Sequence, residues 1–261
     1  MIKINGMVVE QNHFPDHTLL IKATPKTNEA YHIIDWKYEN DAELFTLICL
    51  RKHYGGRAVL WMSYCPHARM DRVKDVNDVF TLKYFAEVIN SLNFEQVNIL
   101  DPHSNVCTAL INNVRVISPK GYITDAIEKC QPNLIFYPDE GAMKRYSDMT
   151  NMPYAFGIKK REWATGKILG LDIMNAELVK DKNVLIIDDI CSRGGTFLHS
   201  ATALKAAGAN RIFQYVTHAE KTMVEGEMYN NLDLVERIYT TDSIFNIEWD
   251  DRNKVTIVNE F

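Results

Sequence analysis

The residues best suited to chemistry lie in one stretch, Val184-Leu185-Ile186-Ile187-Asp188-Asp189-Ile190-Cys191-Ser192-Arg193-Gly194-Gly195-Thr196. The apolar run predicts a buried strand that ends on two adjacent carboxylates. A Gly-containing loop follows, then a helix from about Thr196 to Ala206, stopped by Gly208. Gly194 and Gly195 let the backbone approach a ligand closely. Loop N–H groups and a helix N-terminus together face an anion. Thr196 suits either a helix cap or a donor to phosphate. The acidic pair cannot bind phosphate directly. It suits ribose hydroxyls, or a metal ion between sugar and phosphate. A plain strand–turn–helix accounts for a bare Gly-Gly-Thr. Strand, double Asp, Gly-Gly-Thr and helix in that order point to a sugar-phosphate loop.

The elements that must position this loop recur along the chain. Residues 58–64, 97–100, 134–137 and 212–216 predict further buried strands. Residues 82–92 predict a helix with Leu82, Phe85, Ala86, Ile89 and Leu92 on one stripe. Strands alternating with helices argue for parallel sheets, whose ligands bind beyond the carboxyl ends of the strands. Asp101 with His103, Asp139, Asp188 with Asp189, and His218 sit at those ends. Two α/β halves are expected to meet near the turn-like Ser118-Pro119-Lys120-Gly121. The expected divisions are 1–117, 118–245 and a C-terminal segment 246–261, where 255–258 suits an edge strand.

Composition narrows the function classes. The chain has 261 residues, a net charge of −5, 46% hydrophobic and 24% charged residues. Such a chain has the apolar content for a core and is not mostly disordered. It lacks the basic balance of a general nucleic-acid coat, so no nucleic-acid partner is expected. No run approaches the ~20 apolar residues of a membrane span, and the N-terminal residues do not read as a signal peptide. Neither a membrane partner nor export is therefore expected. Cys49, Cys65, Cys107, Cys130 and Cys191 form no Cys-x-x-Cys and read as reduced, mostly buried thiols in a cytoplasm.

The segment from Asp188 to Thr196, continuing to Thr217-His218, resembles the phosphoribosyl-diphosphate loop of ribose-phosphate pyrophosphokinases. Type I phosphoribosyltransferases carry similar loops, and other segments separate the two. Phe14-Pro15-Asp16 resembles the family's Phe-x-Asp-Gly-Glu segment, which reaches the adenine site of a neighbouring subunit. Asn40-Asp41 with Glu43-Leu44 resembles its Asn-Asp-x-x-x-Glu-Leu helix start. Ala68-Arg69-Met70-Asp71-Arg72 resembles its Ala-Arg-Gln-Asp-Arg ATP segment, and Asp101-Pro102-His103 resembles Asp-Leu-His. Pro138 to Arg145 resembles Pro-Asp-x-Gly-x-x-Lys-Arg, and Lys159-Lys160-Arg161 resembles the start of the catalytic flexible loop. The matches keep the family's order over about residues 10–245.

The resemblance implies an α/β protein of two similar halves with type I phosphoribosyltransferase-like architecture, parallel sheets flanked by helices, and the active site between them. It implies transfer of a diphosphoryl group from ATP to the anomeric hydroxyl of ribose 5-phosphate, with Mg²⁺ as cofactor and a homo-oligomeric assembly. Arg69, Asp71, His103, Phe14 and Asp16 would bind ATP. Asp188, Asp189, Ser192, Arg193, Gly194, Gly195 and Thr196 would hold the sugar phosphate. His103 and Asp139 would support the metal, His103 acting through water because Mg²⁺ prefers oxygen. Lys159 and Arg161 would neutralise the transferring group. Each has a plain alternative: His103 as a turn cap, Asp139 as the cap of a helix around 141–146, and the cations as solvated surface charges.

Four departures from the family pattern stand out. Ser192-Arg193 replaces the usual Asp-Thr, which exchanges an acid for a guanidinium beside the expected 5-phosphate. Met70 replaces Gln, Thr18 replaces Glu, and the chain reads as lacking the family's first helix. The first departure motivates a second acceptor, ADP-ribose, whose diphosphate presents a further phosphate to Arg193. A phosphoribosyltransferase and a catalytically silent regulatory subunit remain as alternative classes.

Overall fold

The computed structural model describes residues 1–23, 31–161, 168–231 and 234–259, with backbone alone at 159–161 and 168–169. The chain divides into two compact units, Met1–Ser118 and Pro119–Phe261.

The first unit opens with β1 (Ile2–Ile4), β2 (Met7–Val8), β3 (Glu10–His13) and β4 (Leu19–Lys22). Then come β5 (Tyr31–Trp36), α1 (Ala42–Tyr54), β6 (Arg57–Met62), α2 (Thr81–Ser91), β7 (Gln96–Leu100), α3 (Asn105–Leu110) and β8 (Val114–Ile117). Its six-stranded sheet has the order β2-β1-β5-β6-β7-β8. Strands β5 to β8 are parallel, whereas β1 and β2 run antiparallel. Right-handed crossovers stepping always in one direction place all connecting helices on one face. One core confirms this. Ile2, Ile34, Leu60, Met62, Val97 and Ile99 from the sheet pack with Leu47, Leu82, Phe85, Ile89 and Cys107 from the three helices. The stripe expected over 82–92 is the buried face of α2. Each such fully buried side chain contributes about 1.5–3 kcal/mol. Strands β3 and β4 form a separate hairpin, tied to α1 where Thr46 Oγ1 donates to Gln11 Oε1 at 2.8 Å.

The second unit holds α4 (Lys120–Cys130), β9 (Leu134–Tyr137), α5 (Glu140–Tyr146), β10 (Tyr154–Arg161) and β11 (Ile168–Met174). These lead to β12 (Asn183–Cys191), α6 (Gly195–Ala206), β13 (Arg211–Ala219), α7 (Glu227–Asn230), β14 (Arg237–Thr240) and β15 (Val255–Ile257). The order is β11-β10-β9-β12-β13-β14-β15, parallel except for β11. Strand order reverses direction at β9 and β12, so helices cover both faces. Ile123 of α4 and Tyr146 of α5 pack on Ile135, Leu185 and Tyr215. Phe197 and Leu204 of α6 pack on Phe136, Ile186 and Val216 on the other face. Burial on both faces is why 134–137 and 184–187 read as unbroken apolar runs.

One boundary differs from the sequence reading, and one hairpin is added to it. Strand β12 does not end at Asp188 but continues to Cys191, because β13 supplies ladder partners as far as Ala219. A polar side chain ends an apolar run without ending backbone pairing. The antiparallel β10–β11 hairpin carried no clear local signal. Among the described residues no helix is long and apolar enough to cross a membrane.

Candidate active site

The loop expected to hold the sugar phosphate sits where β12 passes into α6. Gly194 has φ +76°, a left-handed conformation that only glycine adopts easily, and it occupies the N-cap of α6. Thr196 is therefore not the cap. The helix starts one residue earlier, and no side chain caps its N-terminus. The glycine at the N-cap brings no side-chain acceptor of its own to the first-turn N–H groups of this 12-residue helix.

A second segment supports this loop. Glu220 N donates to Cys191 O at 2.9 Å, and Ser192 Oγ lies 3.1 Å from Thr222 Oγ1. A Cβ built on Gly194 would lie 2.8 Å from Met228 Cβ. One built on Gly226 would collide with the Arg193 carbonyl group. Backbone therefore packs on backbone at Gly226, and the Met228 side chain packs on the backbone of Gly194. Thr222, Gly226 and Met228 went unnoticed in the sequence, because nothing local marks a glycine whose partner is 33 positions away. Arg193 itself is exposed, and among the described residues no ion pair engages it.

The acidic pair is asymmetric. Asp189 N donates to Asp188 Oδ1 at 3.0 Å, so Asp188 folds over its own strand. Burial pushes the Asp188 carboxyl well above the usual carboxylate range, and the charges of Asp189 and Asp139 add to the shift. Asp189 instead meets a cation: Arg145 Nη1 lies 3.0 Å from its Oδ2.

Asp139 follows β9 directly and caps α5, accepting from Ala142 N at 3.0 Å. This is the helix-cap alternative read from the sequence. A Cβ on Gly141 would lie 3.2 Å from Asp139 Oδ1, so the glycine leaves that carboxylate room. Among the described residues no group of three or more His, Cys, Asp or Glu forms a metal cage. The donor chemistry still fits Mg²⁺, which takes one or two carboxylates with waters and substrate phosphates. A dication would also relieve the mutual repulsion that Asp188 registers from Asp189 and Asp139.

The first unit places the other expected residues. Arg69 and Asp71 lie in the segment after β6, with Arg69 exposed and Asp71 Oδ1 3.7 Å from Arg72 Nε. His103 lies between β7 and α3, just past Asp101, which is buried with φ +41°. These two segments meet where Cys65 Sγ and Cys107 Sγ stand 2.9 Å apart. Phe14 and Asp16 form the tip of the β3–β4 hairpin. Phe14 is exposed, and Asp16 accepts from Thr18 N at 3.0 Å and Thr18 Oγ1 at 2.7 Å. These bonds hold the Asp16 carboxyl below its usual range. His103 belongs to the first unit and Asp139 to the second. Lys159 and Arg161 lie on β10, paired with Leu171 and Ile168 of β11, with a register shift between Lys160 and Arg161. Their side chains are outside the described residues.

Comparisons with known proteins bear on the fold and on what the chain resembles. Residues 145–252 match the family model described as the phosphoribosyl transferase domain. A ribose-phosphate pyrophosphokinase of Thermococcus kodakarensis is 26% identical over 246 residues, covering 90% of this chain and 85% of that protein. The Sulfurisphaera tokodaii protein of the same name is 23% identical, covering 99% and 91%. The crystal structure of phosphoribosylpyrophosphate synthetase from Mycobacterium smegmatis superposes with a TM-score of 0.74 at 16% identity, covering 96% of this chain and 85% of that one. That likeness establishes the fold. Near-full-length matches to the first two proteins, together with the shared fold, lead to one conclusion: over most of its length the chain is similar to the ribose-phosphate pyrophosphokinases, a group of transferases.

Proposed function

We propose that the chain transfers the diphosphoryl group of ATP to the anomeric hydroxyl of ribose 5-phosphate, giving phosphoribosyl diphosphate and AMP. The observation that carries this reading is the continuous unit of β12, loop and α6, with a carboxylate pair and a helix N-terminus entered through a left-handed glycine. Relatives named ribose-phosphate pyrophosphokinase, matched over most of the chain, support the same reaction.

In this reading Asp188 and Asp189 accept hydrogen bonds from the ribose hydroxyls. The amides from Ser192 to Thr196 and the α6 N-terminus hold the 5-phosphate. Arg69, Asp71, His103, Phe14 and Asp16 bind ATP. The anomeric oxygen bonds to the β-phosphorus, its proton is lost, and AMP departs with the bridging oxygen. Lys159 and Arg161 neutralise charge on the transferring group. Asp139, with His103 acting through water, would hold Mg²⁺, which would supply electrostatic stabilisation of the phosphates. A homo-oligomer belongs to the same reading, since the resemblance directs the Phe14 segment to a neighbouring adenine site.

A second acceptor, ADP-ribose, is favoured by one observation: Arg193 presents an exposed guanidinium at the loop. The names of the relatives carry nothing for it. Incubation with ATP and Mg²⁺ plus either acceptor, followed by ³¹P NMR, separates the cases. AMP and a new anomeric diphosphate are expected with ribose 5-phosphate. Product from ADP-ribose alone would transfer the reaction to that acceptor. No AMP with either, from folded protein, would remove the diphosphokinase reading.

A further inference from the structure

Arg145 stands in the last turn of α5, outside the loop and 44 positions before Asp189. Its guanidinium lies 3.0 Å from Asp189 Oδ2, with side-chain exposures of 28% for Arg145 and 8% for Asp189. The guanidinium carbon also sits 5.7 Å from the centre of the Tyr146 ring, and Tyr146 is wholly buried. The guanidinium thus lies over the ring of a fixed neighbour. Helix α5 is in turn fixed to the end of β9 by the Asp139 cap. Adjacent strands β9 and β12 carry these two ends, in parallel register at Leu134↔Val184 and Phe136↔Ile186.

We propose that Arg145 is a positioning residue for the sugar, acting through Asp189. This rests on the reading of the β12 loop as the ribose 5-phosphate site. A carboxylate that receives two vicinal hydroxyls must present both oxygens at a set angle, and it is acceptor-only when ionised. Asp189 stands directly beside a second carboxylate, Asp188, so a cation on its Oδ2 fixes an orientation that like charge would otherwise disturb. A planar guanidinium on Oδ2 sets the angle at which the carboxylate meets the sugar. Lysine keeps the charge but lacks the rigid fork.

The test uses the full chain with Mg²⁺, ATP and ribose 5-phosphate. Arg145→Met and Arg145→Lys are compared with wild type in KM for each substrate, with folding checked by circular dichroism and thermal melting. Arg145→Met is expected to raise the ribose 5-phosphate KM by about tenfold or more, as misplaced positioning groups do. The ATP KM should stay within about twofold, because only the sugar contact is moved. Arg145→Lys should recover part of the loss, and should settle the matter if Arg145→Met does not fold. In an Asp189→Asn background, adding the Arg145 substitution should cost little more, because the two act as one unit. An unchanged sugar KM in folded Arg145→Met would overturn the inference. So would an equal rise in both KM values, or a full additional loss in the double variant. A silent wild-type chain would overturn the ribose 5-phosphate reading and this inference with it. An active wild type with an indifferent Arg145 would overturn this inference alone.

Discussion

The backbone of Gly226 lies so close to Arg193 that a Cβ there would stand 2.7 Å from the Arg193 carbonyl carbon. Gly226 has φ −82°, which any residue can adopt, so backbone freedom is not why glycine sits there. Space is the reason. At Gly226 the β12–α6 loop rests on the neighbouring segment with no side chain between the two backbones.

Gly226→Ala should therefore displace Arg193 and the following glycines. The expected result is a folded protein, less stable by about 1–3 kcal/mol, as for other overpacked sites. Its ribose 5-phosphate affinity should drop by about tenfold or more, because the loop amides lose their aim. Steady-state kinetics with a melting curve would check this. A normal sugar KM would show that the contact has no part in holding the loop.

Asp188 leads to a pH-dependent result. Its carboxyl is pushed up in the folded chain by burial, then by Asp189 and Asp139. The folded state consequently binds this proton more tightly than the unfolded state does. Its contribution to stability is fully present below the unfolded carboxylate pKa. It is lost as pH rises through the raised folded value. Asp188→Asn should then change melting temperature little near pH 4 and raise it relative to wild type at pH 7–8, both without ligand. A stabilisation that is equal at both pH values would contradict this.

Asp139 combines a helix cap with a charge near Asp188. Asn caps helices about as well as Asp, whereas Ala loses about 1 kcal/mol of cap stability. Asp139→Asn should thus keep the melting temperature near that of wild type and raise the Mg²⁺ concentration needed for half-maximal turnover. Asp139→Ala should lose both properties. Magnesium titrations of turnover, run beside thermal melts, would reveal whether the two roles separate. Equal Mg²⁺ dependence in all three proteins would remove Asp139 from the metal site.

Glu43 ties the start of α1 to the end of β5 and to the N-terminus. Its buried carboxylate accepts from Trp36 Nε1 at 2.9 Å and Glu39 N at 2.8 Å, and it pairs with the Met1 ammonium. Glu43→Ala would leave these donors without their acceptor and should cost about 2–4 kcal/mol. Urea unfolding would measure the loss. Substrate KM values in the surviving folded protein should be unchanged, and a rise in the ATP KM would extend Glu43's role to the site.

Local pattern was enough to recognise α2, β9 and α6. Leu82, Phe85, Ala86 and Ile89 recur at helical spacing, and Leu134 to Tyr137 is an apolar run between turn residues. Asp139 and its capped helix were likewise readable, since a cap and its amide are three residues apart. Such features depend on neighbours in the chain, and side-chain chemistry expresses them directly.

Contacts between distant segments were not readable in this way. Asp188 and Asp189 look alike in sequence, yet one folds over its own strand while the other faces Arg145. Thr196 reads as a cap, but the chain enters α6 through the left-handed Gly194 under Met228. Strand β12 outruns its apolar residues because β13 continues beside it. In each case the outcome depends on what a distant segment places alongside. That placement follows from packing the whole sheet and its helices, so the residue types alone supply the carboxylates, glycines and cations, while long-range packing assigns each its partner and its environment.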